Sequence, residues 1–252
     1  MLTLCSGCHQ PLSILRQPLC EFCRLGFEHQ PHLCQSCGHP TCLAQTTCEQ
    51  PWKADSTIHG YFSPFFYTKK TRLALMSWKR HRSFLMHRFL TRHTNFKKTA
   101  AKLTGHCLVP IPQAFDRVLT LGHSPPLVLA KTLSRILKLP VFQALRVQKP
   151  RSPVGSTALS QAKKNQFERS LFRPHFESSQ DLHLSKVILV DDFLTTGETI
   201  RSAAQALRKN SRTQCLSIEV FVLGIRPGTL NRFPETMTQK TRFRFSPPFK
   251  LL

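Results

Sequence analysis

The chain has 252 residues, of which 40% are apolar, enough for one sizeable buried core and a small appended module. Lysine and arginine total 36 against 13 acidic residues, and the net charge of +23 favours polyanionic partners such as nucleic acids or phosphate-rich small molecules. The sequence shows neither a long apolar run typical of a transmembrane helix nor a basic start followed by an apolar stretch typical of a signal peptide. We therefore expect a cytoplasmic protein with no membrane span.

The N-terminal segment, residues 1–55, is predicted to be a cysteine-rich zinc-ribbon module. It holds eight of the ten cysteines, including three CxxC units, and has almost no periodic apolar pattern. Each CxxC unit places two thiolates on one turn, and two such turns complete a tetrahedral zinc site. Two structural zinc sites are predicted. The expected ligands are Cys5, Cys8, Cys20 and Cys23 in one site and Cys34, Cys37, Cys42 and Cys48 in the other. A single zinc site, another pairing of the units and a redox dithiol are alternatives that stay open.

From residue 56 onward, apolar strand patterns alternate with helical ones. The predicted strands are 56–66, 107–111, 141–147, 186–190 and 215–223, and the predicted helices are 71–90, 126–137 and 198–209. Residues 148–166 are predicted to form a polar loop, and residues 239–252 a final strand or a tail. This alternation predicts an α/β domain over residues 56–252, with a mainly parallel sheet covered by helices on both faces.

One strand, loop and helix start carries the clearest chemical pattern, VILVDDFLTTGET at residues 187–199. Two acids follow a buried strand at its carboxyl end, where open α/β sheets bind ligands. The threonines and glycine then precede a helix whose unpaired N–H groups suit a phosphate. An ordinary capped strand end would explain one Asp or Thr, but not this whole series. The predicted ligand-binding residues are Val190, Asp191, Asp192, Thr195, Thr196, Gly197, Glu198 and Thr199.

The two adjacent carboxylates would repel a phosphate, so we expect Asp191 and Asp192 to accept hydrogen bonds from vicinal ribose hydroxyls. A Mg²⁺ ion is expected nearby, held through the pyrophosphate of the substrate. The pattern resembles the signature of type I phosphoribosyltransferases. That resemblance implies that the acids bind the ribose of phosphoribosyl pyrophosphate and act in catalysis, while TTGET binds its 5′-phosphate.

The whole chain resembles the ComF/GntX family, in which a cysteine module precedes a phosphoribosyltransferase-like domain. Four segments carry the likeness: CQSCG at 34–38, Trp78–Lys79 at the end of a helix, VPIP at 109–112, and LSQAKKNQFERSLF at 159–172. The family's competence members serve natural transformation. The resemblance therefore implies a role in DNA uptake, with competence proteins as further partners.

Two family segments are altered. The RGFNQ stretch expected after VPIP is LGHSP at residues 121–125, and Lys164 replaces the arginine of the LSxxxR stretch. Three functions consequently stay open. They are a ComF-like protein that binds phosphoribosyl pyrophosphate and handles DNA, an active phosphoribosyltransferase in nucleotide salvage, and a DNA-binding adaptor whose ribose-phosphate site is not catalytic.

Residues 69–102 contain eleven lysines and arginines and no acid. This stretch is predicted to contact the phosphates of single-stranded DNA. Aromatic residues are interleaved with the cations, and they either stack on bases or face the core. The predicted nucleic-acid contacts are Lys79, Arg80, Arg82, Arg88, Arg92, Lys97 and Lys98.

Overall fold

A computed structural model of the chain describes residues 4–12, 17–35, 38, 57–81, 83–148, 175–178, 186–195, 197–209 and 217–226. Some sequence predictions lie outside these residues. They are the assignments of Cys37, Cys42, Cys48, Arg82 and Thr196, almost all of the loop 148–166, the boundary near residue 55 and the segment 239–252.

Helices and strands alternate along the described chain as the sequence predicts. In chain order the elements are α1 (Glu21–Leu25), β1 (Ile58–Phe62), β2 (Phe65–Phe66), α2 (Lys69–His81), α3 (Phe84–Arg92), α4 (Thr94–Ala100), β3 (Cys107–Pro110), α5 (Phe115–Leu121), α6 (Pro125–Leu137), β4 (Leu145–Gln148), β5 (His175–Ser178), β6 (Lys186–Leu194), α7 (Glu198–Lys209) and β7 (Ser217–Ile225).

The central sheet has the strand order β1-β7-β6-β3, and β2 also pairs with β7. Each of these pairings is parallel, which confirms the predicted sheet type. The strands β6 and β7 stay in register from Lys186 opposite Ser217 to Leu194 opposite Ile225. All carboxyl ends therefore meet at one edge of the sheet, where a ligand site is expected.

Helices cover both faces of the sheet because successive side chains of β6 point to opposite sides. Val187 and Leu189 pack in the core beneath α7. Ile188 and Val190 pack in the core beneath α2, α3, α4 and α6. All four side chains have no exposed surface, as a strand buried on both faces requires.

A small antiparallel sheet of β4 and β5 packs against α7. The sequence predicted a strand over residues 141–147, but β4 begins only at Leu145. Val141 makes a single parallel bridge to Leu108 instead. This antiparallel pair brings Val147 and Phe176 close to the carboxyl edge of the central sheet.

The single helix predicted over residues 71–90 is wrong, because the structure has two helices there. Ser83 caps the second, since its Oγ accepts a hydrogen bond from the backbone N–H of Met86 at 3.3 Å. The predicted strand 186–190 is also too short, since β6 continues through the two acids to Leu194. The helix predicted over 198–209 has the observed bounds.

The N-terminal cysteine module packs directly against α3 and α4. Phe27 has no exposed surface and meets the ring of Phe65 edge-on, with 5.2 Å between the ring centroids. Asn95 Nδ2 donates hydrogen bonds to the carbonyl oxygens of Phe27 at 2.9 Å and Glu28 at 3.2 Å. The module therefore shares one core with the larger domain. Within the described ranges, no helix is long and apolar enough to cross a membrane.

Candidate functional site

A cleft of about 650 Å³ lies at the carboxyl edge of the central sheet. Its lining includes Asp191 and Asp192 from β6, and Thr195 and Thr199 from the loop and first turn after it. The structure thus brings four of the sequence-predicted ligand residues into one cavity. Such a volume is typical of small-molecule sites.

The N-terminus of α7 forms one side of this cleft. Gly197 precedes the helix with φ +76°, a left-handed conformation that favours glycine. A Cβ added there would lie 3.1 Å from Nη1 of Arg201, so the space beside Gly197 is also narrow. Glu198 begins the helix, and the backbone N–H of Arg201 closes its first turn on the carbonyl of Gly197 at 2.9 Å. The free N–H groups of this turn can bind an anion.

Val190 lies deeper than the sequence analysis placed it. Its side chain has no exposed surface and belongs to the core beneath α2 and α6. Its carbonyl oxygen accepts a hydrogen bond from the backbone N–H of Ile111 at 2.9 Å. Val190 therefore supports the strand end beneath the site with its side chain turned into the core.

Lys79 from the last turn of α2 reaches into the same cleft. Its Nζ lies 2.6 Å from Oδ2 of Asp192, and only 20% of the lysine side chain and 7% of the aspartate side chain are exposed. The ammonium also lies 5.1 Å from the ring centroid of Phe193. The sequence predicts Lys79 to be a nucleic-acid contact, but in the structure this residue lines the ligand cleft. The only sequence signal for this position is the resemblance of Trp78–Lys79 to the end of a helix in the ComF/GntX family.

Asp191 has an unusual acidity. Burial raises its pKa well above the ordinary value, and the neighbouring charge of Asp192 raises it further, while the charge of Lys79 acts in the opposite direction. Its Oδ1 accepts a hydrogen bond from the backbone N–H of Asp192 at 2.8 Å. A ligand that offers hydroxyl donors or a cation would relieve this repulsion between the two carboxylates.

The opposite wall of the cleft follows β3 and contains residues that the sequence analysis missed. Gln113 lines the cavity, and its Oε1 is buried without a hydrogen-bond partner among the described residues. Arg117 of α5 and Arg226 after β7 add two cations to the lining. A buried acceptor without a donor is costly unless a ligand or water completes it. Only the fold reveals these residues, since they are distant in sequence from the VDD strand.

A separate cluster forms in the cysteine module. The sulfur atoms of Cys5, Cys8, Cys20 and Cys23 all lie within 4.8 Å of one another, so these residues could hold a metal ion such as zinc. This grouping agrees with the first predicted site. Cys34 is described but does not belong to the cluster, and its three predicted partners lie outside the described residues.

The environment of Cys5 suits a metal-bound thiolate. Burial tends to raise its pKa, but backbone N–H groups, mainly those of Cys20, Cys8 and Gly7, outweigh burial and lower the value to about 7. The N–H groups of Gly7 and Cys20 each lie 3.3 Å from its sulfur. Burial, in contrast, raises the pKa of Cys23. Binding of a cation would favour deprotonation of all four thiols.

The remaining basic side chains lie on three helices. Arg80 lies in the last turn of α2, Arg88 and Arg92 lie on α3, and Lys97 and Lys98 lie on α4. All five are exposed. Among the interleaved aromatic residues, Trp78 and Phe96 are buried in the core, whereas Phe84 is 71% exposed.

Comparisons with known proteins agree with the geometry. Residues 124–248 match the phosphoribosyl transferase domain family. The chain is 28% identical to competence protein F of Haemophilus influenzae over 82% of this chain and 84% of that protein. It is 25% identical to the DNA utilization protein YhgH of Escherichia coli over 82% of this chain and 91% of that protein. The YhgH protein of Salmonella typhimurium is 24% identical over similar shares, 82% and 91%.

The domain match covers the described loop and helix at the ligand cleft, and the two kinds of relative extend over most of the chain, including much of its N-terminal half. The parallel sheet and the four-cysteine cluster agree with the same family. Residues 124–248 therefore match a phosphoribosyl transferase domain, and the likeness to competence protein F and to the YhgH proteins supports a ComF-like family for the chain.

Proposed function

We propose that the chain binds phosphoribosyl pyrophosphate, or a closely related ribose-phosphate ligand, and acts in the uptake or handling of DNA. One observation carries the first half of this proposal. The two acids at the end of β6 and the anion-binding start of α7 line the same cleft. A ribose with a 5′-phosphate needs hydrogen-bond acceptors for its hydroxyls and an anion-binding group for its phosphate, a few ångströms apart.

In this proposal the 5′-phosphate lies at the N-terminus of α7. The N–H groups of the first turn and the hydroxyls of Thr195 and Thr199 supply donors, and Gly197 leaves room for the anion. The sequence adds Thr196 and Glu198 to this segment. The helix dipole also favours a negative charge at this position.

The ribose hydroxyls donate hydrogen bonds to Asp191 and Asp192. This arrangement separates the two acids from the phosphate and gives the carboxylates donors of their own. Lys79 supports the proposal because its ammonium already neutralises part of the acidic pair, and so reduces the repulsion that an anionic ligand would meet.

The pyrophosphate is assigned to the wall formed by Gln113 and Arg117, with Arg226 nearby. A Mg²⁺ ion would be held mainly by the pyrophosphate oxygens, since Mg²⁺ in such sites uses few protein ligands. When bound, it would neutralise the charge that develops on the departing pyrophosphate.

A second candidate function is phosphoribosyl transfer in nucleotide salvage. The bond between ribose C1 and the pyrophosphate oxygen would break as a base nitrogen forms a bond to C1. The observation in its favour is that the cleft combines the acid pair with three cations, Lys79, Arg117 and Arg226. Asp191 and Asp192 would then be catalytic by stabilising positive charge on the ribose ring. Pyrophosphate release across a panel of bases tests this reaction.

The DNA half of the proposal has two supports. The relatives are a competence protein and DNA utilization proteins. In addition, exposed cations follow one another along α2, α3 and α4 in a chain with a net charge of +23. A non-catalytic adaptor that uses the ribose-phosphate site for regulation would share both features, and absence of pyrophosphate release would favour it.

Calorimetric titration with phosphoribosyl pyrophosphate and Mg²⁺ tests the ligand site. We expect the variant Asp191→Ala/Asp192→Ala to lose the binding heat. The variant Asp116→Ala/Glu21→Ala removes the same charge from exposed positions and should bind like the native protein. Equal heats from the native protein and the Asp191→Ala/Asp192→Ala variant, or no heat from the native protein, would refute the proposed site.

A further inference from the structure

A second cleft, of about 600 Å³, lies between the cysteine module and α3. Residues 17–19 and Arg24 form the wall on the module side. Leu85, Arg88 and Arg92 belong to the wall on the α3 side. None of the residues that line this cleft lines the ribose-phosphate cleft, so the two cavities are distinct.

The lining of this second cleft is cationic. The described residues that line it include Arg24, Arg88 and Arg92 with their guanidinium groups, and none of these described residues carries a carboxylate. Among the residues the structure describes, no acid lies within ion-pair distance of these three groups. Glu28 acts on the half-buried His93 in the same lining, although burial outweighs this charge and lowers the pKa of the histidine. Three unpaired arginines around one cavity favour an anion with several charges.

Apolar and aromatic surface accompanies this charge. Leu19, Leu85 and Phe89 line the cavity. Phe84 begins α3 one turn before Arg88, on the same side of the helix, and its side chain is 71% exposed. An aromatic ring next to a row of cations is the combination with which proteins bind unpaired bases and their phosphates together.

The two walls are held in place by a shared core. Phe27 of the module meets the ring of Phe89 edge-on, with 5.4 Å between the centroids. Leu19 and Cys23 pack in the same cluster as Met86 and Leu90 of α3. Because Cys23 also belongs to the four-cysteine cluster, a metal ion bound there would fix the wall that carries Arg24. The cleft is therefore largely preformed, which lowers the entropic cost of binding.

We propose that this cleft is the path of single-stranded DNA across the protein, with Arg24, Arg88 and Arg92 on its phosphates and Phe84 stacked on a base. The inference rests on the DNA-handling half of the proposed function and gives it a location. A cavity of this volume admits a few unpaired nucleotides but not a paired duplex.

The experiment measures binding of a fluorescent oligothymidylate to the full, metal-loaded chain by anisotropy at several salt concentrations. The cleft variant is Arg24→Ala/Arg88→Ala/Arg92→Ala. The matched control is Lys131→Ala/Arg135→Ala/Arg208→Ala, which removes three exposed cations from α6 and α7. A third variant, Phe84→Ala, keeps the charge and removes the exposed ring.

We expect the cleft variant to bind at least about tenfold more weakly than the control, and its slope of log K against log salt to be shallower by roughly 2. Phe84→Ala should weaken binding with the slope unchanged, because stacking releases no counterions. Unaltered heats of phosphoribosyl pyrophosphate binding would show that the cleft variant is folded.

Three results would overturn the inference: equal affinities of the cleft and control variants, tighter binding of duplex DNA than of the single strand, and tighter binding of oligouridylate RNA. Equal losses in both variants would place DNA elsewhere on the basic surface and leave the proposed function standing. If the native protein bound no single-stranded DNA in a salt-dependent manner, the DNA half of the proposed function would fail together with this inference.

Discussion

The Nζ atom of Lys79 lies 2.6 Å from Oδ2 of Asp192, so the last turn of α2 is joined to the end of β6 across the ligand cleft. Lys79 and Asp192 are far apart in sequence, and Lys79 belongs to a helix whose sequence predicts a basic surface. In the fold, the lysine instead balances the more buried of two adjacent carboxylates. This ion pair links the charge of the cleft to the position of α2 and makes Lys79 the first residue to test.

Lys79→Met should lower the free energy of unfolding by roughly 1–3 kcal/mol, because it leaves Asp192 buried without its cation. It should also raise the pKa of Asp191 further, since the charge of Lys79 opposes that rise. Chemical denaturation and a pH series of ligand titrations measure the two effects. Arg80→Met, at the exposed neighbouring position, is the control, and equal stability of the two variants would contradict the prediction.

Gly197→Ala should abolish binding of phosphoribosyl pyrophosphate and cost about 1 kcal/mol of stability, because φ is +76° and the new methyl group would lie 3.1 Å from Nη1 of Arg201, beside the proposed phosphate position. Gly122→Ala is a matched control. Its φ is +68°, with open space around the position, so it carries similar backbone strain outside the cleft. Calorimetry should find native-like binding for Gly122→Ala. Comparable losses in both variants would attribute the effect to strain alone.

Acid should destabilise the fold partly through Glu219, which is only 5% exposed. Burial raises its pKa, but hydrogen bonds from Thr104, together with Lys186, outweigh that effect and leave the pKa lowered. The N–H and hydroxyl of Thr104 donate to the carboxylate at 2.9 Å and 2.7 Å, and the N–H of Gly105 donates at 3.0 Å. Through this one side chain, the strand β7 is joined to Lys186 at the start of β6 and to the loop before β3.

A folded-state pKa below the unfolded value means that Glu219 contributes stability above pH 4.5, and that this contribution is lost as the pH falls through the folded-state pKa. Glu219→Gln should lose roughly 2 kcal/mol near neutral pH and show a flatter decline of stability in acid. Urea denaturation at several pH values measures this difference. The exposed Glu21→Gln should follow the native curve, and a parallel curve for Glu219→Gln would refute the assignment.

The four-cysteine cluster should bind one zinc ion per chain. Cys8→Ser should lower the zinc content by that one ion and destabilise the module, because three thiolates and a hydroxyl bind zinc less tightly. Cys107→Ala removes a buried thiol outside the cluster and should leave the zinc content unchanged. Elemental analysis of the purified proteins decides between these outcomes. Zinc content that does not respond to Cys8→Ser would exclude the cluster as the site.

Zinc binding in this cluster should weaken as the pH falls through neutrality, because protons compete with the ion for the thiolates. The pKa of Cys5 is about 7, since backbone N–H groups stabilise its thiolate. Below this value protons compete with the ion for the sulfur, so zinc affinity should fall as the pH drops from 8 to 6. A competition assay with a chromophoric chelator measures the affinity across this range. Zinc affinity that stays constant between those pH values would contradict the role of Cys5.

The sequence alone determined the parts of this protein that depend on neighbouring residues. The strand, acid pair and helix start at residues 187–199 are contiguous, so their order already predicts a ribose-phosphate loop. The bounds of α7 follow from its apolar spacing, and each CxxC unit predicts two thiols on one turn, whereas the grouping of Cys5 and Cys8 with Cys20 and Cys23 comes from the structure. Local hydrogen bonding and side-chain periodicity act over such distances, and a sequence displays both directly.

The tertiary structure decided everything that depends on residues brought together from distant elements. The sequence predicts Lys79 as a surface cation, whereas in the structure it pairs with Asp192 because the end of α2 lies at the carboxyl edge of the sheet. Gln113 and Arg226 entered the ligand cleft because parallel strands end at one edge, whatever their order in the chain. Arg24 and Arg88 line the same cleft because the cysteine module and α3 pack in a common core. These contacts depend on packing between elements that are distant in sequence, so no local sequence pattern predicts them.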